Sequence, residues 1–410
     1  DAMTLVAMDI GTHKICTLVG EADEAGVLRI LGVGVVPARG IRRGVVVNIA
    51  EATEAIAMSV EKAERTSGYQ IRRAIVGIAG PYVASVNSKG TASVLRGDRG
   101  IMPADVQRAV ENARAIAIPH SHEILHVIPR TFVVDGQEGI RDPLGMYGFR
   151  LEAEVHIVTA QVGPLTNLRR CIEAAQVAVE EFVLSPLAAA EAVITEGERE
   201  MGVALVDIGA GTTDLAVFVE GSVAHTAVIP VGGQHITNDL AYGLHVPATV
   251  AEEIKIKYGH ATASTIAADE TIAVQGFGEN GPLTFSRREM AEIIEARVQE
   301  IFQLVMKDLR TSGYERLLPA GLVLCGGAAL LPGIREVARE ITGLPVRLGM
   351  PWDLGGLADT LRSPMFAAAV GLLRWGLRAD AGAAYPTPGD SWIGRLWRAV
   401  RTILREILPG

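Results

Sequence analysis

Cysteine is scarce: three residues, Cys16, Cys171 and Cys325, lie singly and far apart, with no C-x-x-C pair. That excludes a disulfide framework and any zinc spacing, and isolated thiols of this kind belong in or near a core, in a reducing compartment. An excess of positive charge is also missing. With a formal net charge of −9, broad non-specific binding to nucleic acid is excluded, and any basic surface has to be local. Long apolar runs are absent as well. The first stops at Asp9 and another, from Met365 to Leu373, ends at Arg374, so neither reads as a secretory signal or a membrane span.

What is present is apolar residue in quantity, 49% of 410 residues. That is enough for large cores, and the length calls for two or more domains. Two stretches repeat each other half a chain apart: TLVAMDIGTHKICTLVGE from Thr4 and GVALVDIGAGTTDLAVFVEG from Gly202. Each reads as a strand, Asp-Ile-Gly, a small polar turn and a second strand, so the pair predicts two related domains. Such hairpins suit phosphate. Glycines let backbone N–H groups approach an anion, Thr12, Thr212 and Thr213 add hydroxyls, and Asp9 and Asp207 at strand ends suit a hydrated Mg²⁺. Taken singly, each is also what an ordinary glycine-turned hairpin looks like.

Further glycine clusters add to them. GLVLCGGAALLPGI, from Gly321, reads as a buried strand, a tight Gly326-Gly327 turn and a helix start, where a backbone can lie close to a nucleoside. PVGGQHITNDLA, from Pro230, sets Gly232-Gly233 before a helix whose N-terminus suits phosphate. Glu252 and Lys255, three apart on a helical face, could reach a ribose or base edge together, although such a pair in isolation is more often a solvated ion pair.

Together these motifs resemble the actin, Hsp70 and sugar-kinase superfamily. Asp9-Ile10-Gly11-Thr12 is similar to its first phosphate loop, Val206 to Asp214 to its second, and Cys325-Gly326-Gly327-Ala328 to its adenosine motif. The resemblance implies an α/β fold with two lobes, duplicated mixed-sheet cores and a cleft for ATP and Mg²⁺. Its nucleotide-binding residues would be Gly11, Thr12, His13, Lys14, Gly209, Ala210, Gly211, Thr212, Thr213, Gly232, Gly233, Glu252, Lys255, Gly326, Gly327 and Ala328. Asp9 and Asp207 would hold the metal through water, and Asp207 or Glu191 would orient the water that attacks the terminal phosphate. His13 departs from the pattern, since a small residue is usual there.

Between the core strands lies a unit of its own. Pro103 opens a helix, EILHVIPRTFVVDG and FRLEAEVHIVTA alternate as strands, and GIRDPLGMYGFRLEAEVHIVT resembles the insert of the FtsA family of bacterial cell-division proteins. SPLAAAEAV, ALVDIGAGTTDLAVF, PVGGQHITNDLA and AEEIKIKYG extend that resemblance over essentially the whole chain. It implies subdomain 1A at 1–81 and 161–198, an inserted 1C at 82–160, 2A at 199–231 and 305–377, and 2B at 232–304. A linker is expected at 378–390 and an amphipathic helix at 391–408. In that helix Trp392, Ile393, Leu396, Trp397, Val400, Ile403, Leu404 and Ile407 form one apolar stripe flanked by Arg398 and Arg401, which suits an anionic membrane surface.

Implied with the family are self-assembly into an actin-like filament, capture of the C-terminal peptide of FtsZ through 2B, contact with other division proteins through 1C, and a place on the cytoplasmic face of the plasma membrane at the septum. Slow ATP hydrolysis at most goes with it. Arg287, Arg288 and Arg297, on an amphipathic stretch from Phe285, are candidates to meet an acidic peptide. Two other readings remain: a PilM-like module for pilus assembly, and a small-molecule kinase.

Overall fold

The computed structural model describes residues 3–380 apart from 24, 96, 117 and 279–280. The tail expected to form a membrane helix, Trp392 to Ile407, lies outside the described residues, as does most of the linker. No described helix is long and apolar enough to cross a membrane.

Two mixed sheets dominate, and they repeat each other. In the first, strands Met3–Ile10, Lys14–Ala22 and Leu28–Pro37 form an antiparallel meander, and Arg73–Ile78 and Ala178–Leu184 add in parallel on the other side of Met3–Ile10. In the second, Val203–Ile208, Thr213–Val219 and Ser222–Ile229 form the meander, and Leu322–Cys325 and Val346–Leu348 add in parallel beside Val203–Ile208. The shared order is the duplication that the two Asp-Ile-Gly stretches predict. The central strands are covered on both faces, so they read as continuous apolar runs: every residue of VALVDI is buried, and each large aliphatic there contributes about 1.5–3 kcal/mol.

Helix Ser185–Val193 joins the two halves with all nine residues buried. It therefore shows no polar face from which sequence periodicity could orient it. The last described helix, Ala367–Asp380, packs against it so closely that a Cβ on Gly371 would lie 1.8 Å from the Ala188 carbonyl oxygen. Only glycine admits that backbone contact.

The insert is a four-stranded antiparallel sheet, Val83–Ser93, Arg150–Gln161, His122–Val134 and Gln137–Ile140, with helix Pro103–Arg114 across one face. It has its own apolar cluster around Val110, Phe132, Leu151 and Ile157. Its contact with the second sheet is polar. Ser85 Oγ donates to the Thr226 carbonyl (2.8 Å), and Asn87 Nδ2 donates to that of Ala224 (3.0 Å), both on the edge strand Ser222–Ile229. Buried His156 spans the seam, 2.7 Å from Asn87 Oδ1 and 2.8 Å from Thr226 Oγ1. Asn87 Oδ1 can only accept, so His156 carries a proton on Nδ1. Burial, aided by the positive field of nearby histidines and Arg130, pushes its pKa down to about 3, and burial alone takes His126 to about 4.

Helices Gly233–Leu244 and Ala248–Tyr258, the hairpin Thr271–Val274 with Leu283–Ser286, and the long helix Arg287–Ser312 complete the second half. The long helix starts two residues after Phe285 because the Ser286 side chain accepts from the Glu289 N–H and caps it.

Candidate functional site

Strand register sets the site. Asp9 lies opposite Cys16 in its hairpin and beside Gly77, while Asp207 lies opposite Asp214 and beside Cys325. Both turns close the same way: Gly11 N–H donates to the Lys14 carbonyl, and Gly209 N–H to that of Thr212, each at 3.0 Å. The two turns meet across a cleft. A Cβ on Gly211 would stand 2.9 Å from Thr12 Oγ1, so the second turn needs glycine to approach the first. Between them opens a cavity of about 310 Å³, the size range of small-ligand sites.

Gly11, Thr12, His13 and Lys14 line it from the first turn, and Asp9, Asp207, Gly209, Ala210, Gly211 and Thr212 from the strands and the second turn. Gly233, Glu252 and Lys255 line it from the paired helices, and Gly326, Gly327 and Ala328 from the third glycine cluster. Gly326 is there by necessity. Its φ is +87°, and a Cβ would fall 2.4 Å from both Asp207 Oδ1 and the Ile208 carbonyl oxygen.

The floor is acidic. Burial raises the Asp9 carboxyl, an effect Lys14, at 3.9 Å, partly offsets. Asp207 is pushed up to about 7 by burial and then by the charge of Asp9. Asp214, only 3% exposed, is raised well above the usual range by burial and by Asp207, and its Oδ1 has no partner while Thr212 Oγ1 donates to Oδ2 (3.2 Å). Three crowded carboxylates with an orphaned oxygen fit a nearby cation. Among the described residues no group of three His, Cys, Asp or Glu side chains could hold a metal ion directly, so the arrangement suits an ion held through water, as Mg²⁺ usually is.

Across the cleft, Glu252 and Lys255 form an inward-facing network and not a solvated pair. They pair at 2.8 Å, Lys255 donates to Thr237 Oγ1 (2.9 Å) and the Gly233 carbonyl (3.2 Å), and Thr237 bonds Glu252. Burial opposes ionisation of Glu252, but the bonds from Lys255 and Thr237 hold it below the usual carboxylate range.

Several expectations need correction. Thr213 is fully buried and gives its hydroxyl to the Val231 carbonyl (2.7 Å), away from the cleft. The N–H groups of Gly232 and Gly233 are already used, by His235 Nδ1 (3.0 Å) and the Gly209 carbonyl (2.8 Å). The helix N-terminus thus clamps the second turn and leaves little for a ligand. Glu191 does not line the cleft. Its buried carboxylate sits between Arg199 (3.2 Å) and Arg378 (2.8 Å), so both oxygens are paired away from the cleft lining. Arg287 bonds Glu270 and the Tyr258 carbonyl, Arg288 the Ile266 carbonyl, and Arg297 Asp239 and Glu300, so these three arginines are tied within the chain.

Asp214, the last residue of the second phosphate loop, lines the cleft with Ser185, Gly44, Pro364 and Met365, and sequence reasoning assigned none of the five a site role of its own. Asp214 had a signal, since it faces Asp207 across a short antiparallel hairpin, where opposed side chains share a face. The others arrive by tertiary packing alone.

Comparison with known proteins agrees with this layout. A family model described as "Cell division protein FtsA" matches residues 204–371, and one described as "SHS2 domain inserted in FTSA" matches 80–159. Among solved structures, the PilM-PilN type IV pilus biogenesis complex superposes with a TM-score of 0.65 at 18% identity, covering 90% of this chain and 97% of that one. MreB 5 of Spiroplasma citri bound to AMPPNP gives 0.52 at 14% identity, covering 89% and 94%. These likenesses show an actin-like fold. The Cell division protein FtsA of Escherichia coli K12 is 34% identical over 97% of each chain. That of Pseudomonas aeruginosa is 45% identical over 95% of this chain and 93% of its own, and on that similarity the chain belongs to the FtsA family of actin-like cell-division proteins.

Proposed function

We propose that this protein binds ATP with Mg²⁺ in the cleft, assembles into actin-like filaments on the cytoplasmic face of the plasma membrane at the septum, and tethers FtsZ filaments there through their C-terminal peptide. The observation that carries the nucleotide reading is the pair of glycine turns, identical in register, facing each other over half-buried Asp9 and buried Asp207 and Asp214. In this reading the insert is the 1C platform for later division proteins, the helices and hairpin between 232 and 304 form 2B, and the tail from Trp392 to Ile407 is the anchor.

Bound ATP would supply a transferable terminal phosphoryl group, with Mg²⁺ neutralising its charge. Backbone N–H groups at the turn tips and the Lys14 ammonium cradle the phosphates, while Glu252, Lys255, Gly326, Gly327 and Ala328 enclose the nucleoside. Of the two acids considered for orienting an attacking water, only Asp207 faces the cleft, which is consistent with slow turnover.

The test is sedimentation of anionic vesicles with the protein and FtsZ under Mg-ATP, using the full chain and one ending at Asp390. FtsZ should pellet only with the full chain. If the full chain pellets and leaves FtsZ in solution, the tethering role fails and a PilM-like binding module takes its place.

A further inference from the structure

The turn at Arg43-Gly44 carries the wrong residue for its geometry. Ile41–Arg42 and Val45–Val46 pair as a minimal hairpin, and both turn residues have positive φ, +50° at Arg43 and +76° at Gly44. Turns of that kind strongly favour Asn-Gly or Asp-Gly. An arginine in left-handed backbone is uncommon and strained, and such strain clusters where a site needs a particular side chain.

The turn is also wedged against the cleft. A Cβ on Gly211 would stand 2.8 Å from the Arg43 Cα, and one on Gly44 would stand 1.9 Å from the Ala79 carbonyl oxygen. Gly44 N–H donates to Thr12 Oγ1 (3.0 Å). The hairpin tip therefore touches both phosphate-type turns, one from each half of the molecule.

Charge gives the reason for an arginine. Four carboxylates line the cleft, Asp9, Asp207, Asp214 and Glu252, against two lysines, Lys14 and Lys255. Lys255 is spent on Glu252, and Lys14 lies near Asp9 and over the Phe366 ring. A polyphosphate entering here needs another cation. Arg43 is exposed and makes no hydrogen bond or ion pair among the described residues. After burial, its charge is the largest influence lowering His235, which sits on the first turn of helix Gly233–Leu244 between the cleft-lining Gln234 and Ile236.

We propose that Arg43 is a ligand-sensing residue: its guanidinium binds the outermost phosphate of the nucleotide, and the strained hairpin it sits on reports whether that phosphate is present. This rests on the nucleotide reading above and extends it from binding to discrimination between triphosphate and diphosphate. Arginine suits the task because its fork engages phosphate oxygens in pairs.

The test titrates the full chain with fluorescent N-methylanthraniloyl ATP and ADP in Mg²⁺ buffer. Arg43→Asn is the decisive variant, because asparagine is the residue this turn prefers and folding is preserved or improved. It should weaken ATP about tenfold, the effect of one charged hydrogen bond, while ADP changes less than about twofold by the same reasoning. Arg43→Lys, which keeps the charge, should recover part of the loss. If Arg43→Asn weakens both nucleotides equally, or neither, the assignment to the outermost phosphate is wrong. If the unsubstituted chain binds neither nucleotide, the nucleotide reading falls and this inference with it.

Discussion

Gly326 and Gly327 are neighbours in one motif, yet the structure gives them different reasons to be glycine, and alanine at each separates them. At Gly326, φ +87° with ψ 166° is a region essentially closed to other residues, and the new methyl carbon would be 2.4 Å from Asp207 Oδ1 and the Ile208 carbonyl oxygen. Backbone strain of about 1–3 kcal/mol and a similar cost for overpacking sum to about 4 kcal/mol. For a chain of this size that lowers Tm by roughly 5 °C. At Gly327 the nearest atom to an added Cβ is Met365 Cε at 3.8 Å, ordinary contact, so Gly327→Ala should melt within about 1 kcal/mol of the unsubstituted protein. It does narrow the cleft, and its effect should appear in nucleotide affinity. Thermal melts followed by nucleotide titration of both variants decide the matter. Equal melting of the two, or normal stability of Gly326→Ala, would refute the close-packing argument for this strand end.

Two further outcomes follow from buried charge. Glu191→Gln should cost about 3 kcal/mol, because it leaves two arginines short of a buried counter-charge, while nucleotide affinity stays unchanged; loss of hydrolysis with unchanged Tm would restore Glu191 as a catalytic group. For His156, the folded pKa of about 3 lies below the unfolded value of about 6.5. Its contribution is therefore full above pH 6.5 and is lost as pH falls toward 3. Between pH 7 and pH 5 the native protein should lose about 2 kcal/mol more than His156→Gln, measured by denaturant unfolding at each pH. The raised Asp207 acts with the opposite sign but in both proteins alike, so equal slopes would show that His156 is not buried neutral.

How far the sequence could be read depended on whether a residue's role was local. Asp9, Asp207 and the glycines beside them are set by short hairpins, so spacing along the chain carried them, and the two sheets share the strand order that the repeat suggests. Asp214 escaped because the repeat is unequal: its counterpart in the first hairpin is Cys16. Glu191 was misread because helix Ser185–Val193 is wholly buried and gives no face to count from. Ser185 lines the cleft, but at about 100° per residue Glu191 points roughly 120° away from it around the helix axis. The arginines of helix Arg287–Ser312 stand on an amphipathic stretch as expected. Their partners, Glu270, Asp239 and backbone carbonyls of neighbouring elements, come from distant sequence that periodicity does not connect.

The polar seam between the insert and strand Ser222–Ile229 has a consequence for how such a module can be exchanged. An edge strand presents unpaired carbonyls and N–H groups that invite another chain to pair with it. Here Ser85 and Asn87 occupy two of those carbonyls with side chains, sealing the border without extending the sheet across it. The insert is thereby a gasket for the neighbouring half. A lineage that trades it for a different domain has to bring a replacement seal, or else leave an adhesive flank.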